Sequence, residues 1–230
     1  HSLSLLLILN FLSLTFVLFS IPAEKIKISF PGKISAIVLF ALIIALSFSI
    51  DFNAVSLAKL FPDQKIIFHK ETPLESIVVT DTYGQYNIFG NGVLYSSTGN
   101  ITTREESVHY ALLQHPAPKN ILLISGGISG ALSEILKYKN SHVDYLEINP
   151  WLLENGKKFY SGLTSNKISI IEEDPTRYVK ETTNKYDAVL INIPEPSNLA
   201  LNRFYTIEFY EKIYSIMNKN AVVSVSLSST

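Results

Sequence analysis

Glycines and carboxylates between residues 125 and 195 are spaced in an order that could hold a nucleoside. Gly126, Gly127 and Gly130 follow the apolar run 121–124. A strand that turns on glycines into a helix lets a ligand approach the backbone and face the helix N-terminus. A turn needing glycines only for packing would carry the same letters. Glu147 closes the next apolar run, about twenty residues past the turn, where a carboxylate can accept from both ribose hydroxyls; a solvated strand-end Glu is the alternative. Asp174, in Glu172-Glu173-Asp174-Pro175, could accept from an adenine amino group or belong to a solvated acidic turn. Asn192 and Glu195 lie in Asn192-Ile193-Pro194-Glu195-Pro196-Ser197. Its prolines would hold an amide and a carboxylate over a fourth strand end, where they could bind an amine; a proline loop that merely changes direction is the alternative.

Composition removes other chemistries. Net charge is −1 and no Lys/Arg run occurs, so the chain lacks the electrostatic footprint of a nucleic-acid binder. With no cysteine there are no disulfides and no thiolate metal sites, which fits a reducing compartment. His69, His109, His115 and His142 show no metal-ligand spacing, and no metal is expected.

The elements that must position these residues fall into three regions. Residues 3–21 and 34–50 carry no charged side chain, and each could lie as a helix across roughly 30 Å of hydrocarbon. Two transmembrane helices are therefore expected within 1–50, with a linker at 51–61; a signal peptide for the first run and an interfacial or core helix for the second are the alternatives. Residues 62–102 read as a small β-rich domain: runs at 76–80, 86–89 and 93–96 are separated by Tyr83-Gly84 and the hairpin signal Asn91-Gly92, giving three or four antiparallel strands.

Residues 103–230 alternate helix and strand. Helices are expected at 103–114, from the glycine turn to near 139, and at 150–160, 176–182 and 206–217; strands at 121–124, 143–148, 168–172, 188–193 and 221–227. Such alternation implies an α/β fold with a parallel, Rossmann-like sheet, helices on both faces and ligands at the carboxyl ends of the strands. The chain starts at His1 and stops just past the fifth strand, so further residues are expected at both ends.

In combination these features resemble the spermidine synthase (polyamine aminopropyltransferase) family, in particular its membrane-fused bacterial branch. The similarity runs over 71–227. Its landmarks are the stretch 71–79, the turn Gly90-Asn91-Gly92, residues 109–116 from His109 to Pro116, Gly126-Gly127, Glu147, the run 194–197, Arg203-Phe204-Tyr205 and Glu208-Phe209-Tyr210. The resemblance implies a small β domain on an S-adenosylmethionine methyltransferase-type core. It also implies transfer of an aminopropyl group from decarboxylated S-adenosylmethionine to a polyamine or other amine, with the sulfonium compound as co-substrate. That reaction is an in-line attack by a neutral amine beside a sulfonium, and it needs groups that hold two cations and accept one proton.

The resemblance also marks departures. Asn192 stands where the family has the aspartate that receives the amine proton, and an amide is no base at neutral pH. Glu195 replaces the second aspartate on a longer arm. Ile128 occupies the acidic position of the glycine turn that helps hold the aminopropyl ammonium. Tyr110 replaces a frequent glutamate after His109, and Glu75 sits where glutamine is usual. Glu147, Asp174 and the Gly126 to Gly130 turn are therefore expected to bind the nucleoside, Asn192 and Glu195 to serve catalysis, and Glu75, His109 and Tyr110 to contact the amine. Two other readings stay open: another S-adenosylmethionine-dependent transfer, such as methylation, and an inert nucleoside-binding domain of a membrane protein.

The expected location is multi-pass in the inner or cell membrane with the soluble part in the cytoplasm, and a homodimer is allowed. Lys25, Lys27 and Lys33 would place that part outside by the positive-inside tendency. The cytoplasmic cofactor weighs against them.

Overall fold

The structure is a computed structural model that describes residues 2–20, 32, 34–35, 38–42, 45, 52–73, 75–156, 164–193, 195–196 and 199–227. It divides into two compact units, His1–Pro62 and Asp63–Thr230.

In the first unit, α1 spans Ser2–Ser20 and α2 spans Phe52–Leu60, the latter over residues read as a linker. The rings of Phe11 and Phe40 stack at 5.6 Å. Among the described residues no helix is long and apolar enough to cross a membrane. α1 is 19 residues long over the described part of the chain. Asn10, Ser13 and Thr15 also interrupt its apolar surface. The second expected span, 34–50, lies largely outside the described residues. The expected multi-pass membrane location is corrected on that finding, and the expected membrane partner is not shown.

The second unit opens with four antiparallel strands in the order β1 (Lys65–Glu71), β2 (Ser76–Thr82), β3 (Gln85–Gly90) and β4 (Val93–Ser97). The tight turn at Asn91-Gly92 has positive φ at both residues, 50° and 81°, the geometry that lets a two-residue hairpin match strand twist. Asn100 then caps α3 (Ile101–Leu112) by accepting from the Thr103 amide.

Five parallel strands follow: β5 (Asn120–Ile124), β6 (His142–Leu146), β7 (Ile168–Ile171), β8 (Tyr186–Ile191) and β9 (Met217–Val225). Between them lie α4 (Ala131–Ile135), α5 (Pro150–Gly156), α6 (Pro175–Glu181), α7 (Leu199–Asn202) and α8 (Ile207–Ser215). The sheet order is β7-β6-β5-β8-β9, so chain progression reverses between β5 and β8. In open α/β sheets ligands bind at that switch point, beyond the carboxyl ends of the strands.

Covering the sheet on both faces explains why its central strands are unbroken apolar runs. Ile121 and Leu123 pack with Val108 and Leu112 of α3, Leu132 of α4, and Ile77 and Ile88 of the small sheet. Their neighbours Leu122 and Ile124 pack on the opposite face with Tyr178 of α6 and Phe209 and Ile213 of α8. The antiparallel sheet thus shares a core with the parallel one, and its β4 edge comes over the strand ends. One expected element differs: the helix after the glycine turn is broken into a 3-10 turn at Gly127–Ser129 and the short α4, because Gly130 at φ 95° interrupts the helical backbone.

Candidate active site

The carboxyl ends of β5, β6 and β8 open into a cavity of about 440 Å³. Ser125, Gly126, Ile128 and Ser129 form one wall, Glu147 another, and Asn192, Ile193 and Glu195 a third; Tyr95 from β4 and Arg104 from α3 close it.

The turn after β5 is held in an uncommon conformation. Ser125 has φ 62° and Gly126 φ 74°. The left-handed region disfavours side chains, and a Cβ on Gly126 would come within 2.7 Å of Asn192 Cβ. Glycine here lets the β5 and β8 ends close together, and the Asn192 amide donates to Ile124 O at 2.9 Å. The strained Ser125 aims its hydroxyl at Glu147, at 3.2 and 3.5 Å from the two carboxylate oxygens. Non-glycine residues in such conformations cost about 1 kcal/mol or more and gather at functional sites.

Glu147 is 4% exposed. Besides Ser125 it accepts from the Tyr145 hydroxyl at 2.6 Å and the Asn149 amide at 3.2 Å. Burial pushes its carboxyl up to about 7; the hydrogen bonds from Tyr145, Asn149 and Ser125 oppose that rise and the nearby Glu75 adds to it. Glu75 accepts from the Tyr95 hydroxyl and from Asn149 Nδ2, the latter at 2.7 Å. Asn149 thus bridges the two carboxylates. Burial, with the hydrogen bond to Glu75, raises the Tyr95 phenol well above its ordinary range, so Tyr95 stays a neutral donor on the cavity wall.

Asn192 Oδ1 accepts from the Ser226 hydroxyl at 2.8 Å, which fixes the amide at the end of β8. Glu195 is exposed to solvent at the cavity mouth. Pro194 and Ser197 of its run lie outside the described residues.

Not every residue singled out in the sequence lines this cavity. Asp174 caps α6, accepting from the Thr176 and Arg177 amides at 2.9 and 3.3 Å, and pairs with Arg203 Nη2 at 2.5 Å. His109 sits between Tyr138 OH at 2.9 Å and Glu134 Oε2 at 3.1 Å. Tyr110 is 68% exposed and donates to Glu106 at 3.3 Å. Glu75 stands behind Tyr95. Gly130 acts through packing, since a Cβ there would collide with Arg104 Cδ.

Sequence reasoning missed Ser125, Tyr95, Tyr145, Asn149 and Ser226. One signal was available: side chains two apart on a strand share a face, so Tyr145 had to reach the Glu147 side of the sheet. Tyr95, Asn149 and Ser226 come from other elements, and nothing local announced them.

The antiparallel sheet over a parallel one, with a cavity at the switch point ending on a buried carboxylate, is a Rossmann-like α/β arrangement with a small β sheet covering its strand ends. Residues 101–229 match the spermine/spermidine synthase domain, and the chain belongs to that family. It is 33% identical over 218 residues to the polyamine aminopropyltransferase of Leptospira interrogans, covering 91% of this chain and 44% of that protein. With the polyamine aminopropyltransferase of Methanocaldococcus jannaschii the identity is 29% over 169 residues, covering 69% and 56%. The chain thus spans about half the length of these curated relatives. Among solved structures, a spermidine synthase in complex with the transition-state analogue AdoDATO superposes with a TM-score of 0.66 at 21% identity, over 70% of this chain and 57% of that one. The Thermotoga maritima spermidine synthase superposes at 0.61 and 21%, over 70% and 56%. At that identity the two structures speak to the fold alone.

Proposed function

We propose that this chain carries the alkyl-transfer site of an aminopropyltransferase, which moves an aminopropyl group from decarboxylated S-adenosylmethionine to a small amine. The observation that carries this reading is the cavity at the switch point, which joins a buried carboxylate, Glu147, to a second one at its mouth, Glu195. Glu147 is the carboxylate assigned to the ribose hydroxyls, and Ser125, Tyr145 and Asn149 hold it in place. The left-handed turn at Ser125 and Gly126 brings backbone close to the nucleoside.

For transfer, the amine must lose a proton as its nitrogen attacks the carbon beside the sulfonium. Asn192 cannot take it. Glu195 is the carboxylate that borders the cavity at the end of the same strand, so it is assigned the proton, with Asn192 orienting the amine from its anchored position beside Ser226. Glu75 positions Tyr95 from behind the wall. His109 and Tyr110 face α4 and solvent, so a role for them in holding the amine would need α3 to shift. A role for Asp174 at the adenine would need it to leave Arg203.

Turnover of decarboxylated S-adenosylmethionine with a panel of diamines tests this. Glu195→Gln is expected to lower kcat by roughly 100-fold, the usual worth of a general base, with methylthioadenosine still bound. Unchanged turnover in that variant would overturn the assignment of the proton to Glu195.

A further inference from the structure

The donor of the proposed reaction ends in an ammonium, and a cation taken out of water needs an anion or a strong acceptor beside it. The cavity offers few places for one. Among the described residues its lining carboxylates are Glu147 and Glu195, the first assigned to the ribose and the second to the proton of the attacking amine. Ile128 is 3% exposed and makes the wall of the glycine turn apolar. Arg104 is ion-paired at 3.6 Å with the buried Glu134, which is also met by His109 and Lys137. That carboxylate is already surrounded by cations.

Tyr95 offers a different arrangement. It belongs to β4, the strand that packs on the turn Gly127–Ser129, and it lies against the same apolar cluster as Ile128. Its hydroxyl donates to Glu75, which also accepts from Asn149 Nδ2 at 2.7 Å. With its one hydrogen spent on that carboxylate, the Tyr95 oxygen can only accept from a further partner, and the charge behind it makes it a stronger acceptor. Gly90 leaves room for the two side chains, since a Cβ there would strike both the Tyr95 ring and Glu75 Oε2. Burial, then the hydrogen bond to Glu75, then the charges of Glu75 and Glu147 push the Tyr95 phenol up, so two carboxylates act on one hydroxyl at the cavity wall. Among the described residues no cation pairs with Glu75, whose side-chain partners are the neutral donors Tyr95 and Asn149.

Resting on the reading of the cavity as an aminopropyl-transfer site, we infer that Tyr95, backed by Glu75, holds the ammonium of the donor's aminopropyl chain. Tyr95 touches the ammonium. Glu75 is a positioning residue, since it does not line the cavity and acts through the Tyr95 oxygen, its charge balancing the cation one hydroxyl away. Held at its far end, the chain leaves fewer orientations to the carbon bonded to sulfur, which an in-line attack requires. The same contact distinguishes donor from product, because methylthioadenosine has no aminopropyl chain and gains nothing from it.

The test is calorimetric titration of the full chain and of two near-isosteric variants, Glu75→Gln and Tyr95→Phe, with methylthioadenosine and decarboxylated S-adenosylmethionine. Both variants should bind decarboxylated S-adenosylmethionine roughly 10- to 100-fold more weakly, the range of a charge-assisted hydrogen bond, while methylthioadenosine affinity stays within about threefold. The S-propyl analogue of the donor, identical but for the missing amino group, separates the ammonium from the sulfonium. It should bind the unaltered chain about as weakly as the variants bind the donor, and neither substitution should change its affinity. If either folded variant keeps full affinity for the donor, or loses methylthioadenosine equally, the inference is overturned and the aminopropyl reading stands; the same follows if the unaltered chain binds the analogue as tightly as the donor. An unaltered, folded chain that binds methylthioadenosine but neither binds nor turns over the decarboxylated donor would overturn both.

Discussion

Glu147 and Asp174 follow adjacent strands of one sheet, β6 and β7, and each puts a carboxylate just past a strand end. Glu147 is buried, no cation pairs with it among the described residues, and its hydrogen bonds come from Ser125, Tyr145 and the Asn149 amide around the cavity floor. Asp174 is matched on both oxygens, by two amides at the start of α6 and by Arg203. A carboxylate whose charge is already answered by a helix terminus and a guanidinium has little left to offer a ligand. One that is buried without a cation favours whatever brings it further donors. Position after a strand therefore does not make a binding residue; whether a cation already answers its charge is what separates the two.

Substitution at the two sites sharpens that contrast. Glu147→Gln should weaken methylthioadenosine binding by about 100-fold or more, since two charge-assisted hydrogen bonds are lost, and calorimetry on the folded variant reads it. An effect below about threefold would put the ribose elsewhere in the cavity.

The raised Glu147 carboxyl gives the next largest effect. Its folded value of about 7 lies above the ordinary 4.5, so the folded state holds this proton more tightly than the unfolded chain does. The stability that results is complete below pH 4.5, declines as pH rises, and is gone above about 7. Urea unfolding at pH 5 and pH 7.5 should differ by roughly 2–3 kcal/mol in favour of the lower pH, with the slope abolished in Glu147→Gln. Methylthioadenosine affinity should run the opposite way, rising up to tenfold per pH unit until it levels above about pH 7, because the ionised carboxylate is the form that accepts from both hydroxyls. A flat affinity profile over this range would mean that the carboxylate is ionised throughout.

The smallest effect belongs to Asp174. Asp174→Ala removes an N-cap and should cost about 1 kcal/mol of stability, read as a lower denaturation midpoint, with methylthioadenosine affinity changed by less than about threefold. A tenfold loss of affinity would show that Asp174 leaves Arg203 to meet the ligand, and would erase the distinction between the two carboxylates.

Much of the framework was legible in the residues. The runs at 121–124 and 188–191 are apolar at every position, as both faces of a covered sheet require, and Asn91-Gly92 dictates its hairpin by allowing positive φ. The glycine turn and Glu147 were placed correctly relative to each other because strand, turn and helix lengths vary little in a βαβ unit. Residues 3–21 were read as a span from their freedom from charge, whereas α1 (Ser2–Ser20) carries polar side chains along its length.

By itself, then, the sequence determined the parallel α/β core, the hairpin of the small sheet and the end of the core where chemistry gathers, since periodicity and turn chemistry act over a few residues and need no partner. Only the tertiary structure decided which of the candidate side chains meet. The closure of β4 and α3 over the strand ends brings Tyr95 and Arg104, distant in the chain, to the same cavity as Glu147 and Asn192. The pairing with Arg203 engages Asp174 away from the cavity lining. Both outcomes depend on distances between elements far apart in sequence, which packing sets and local residue preferences do not encode.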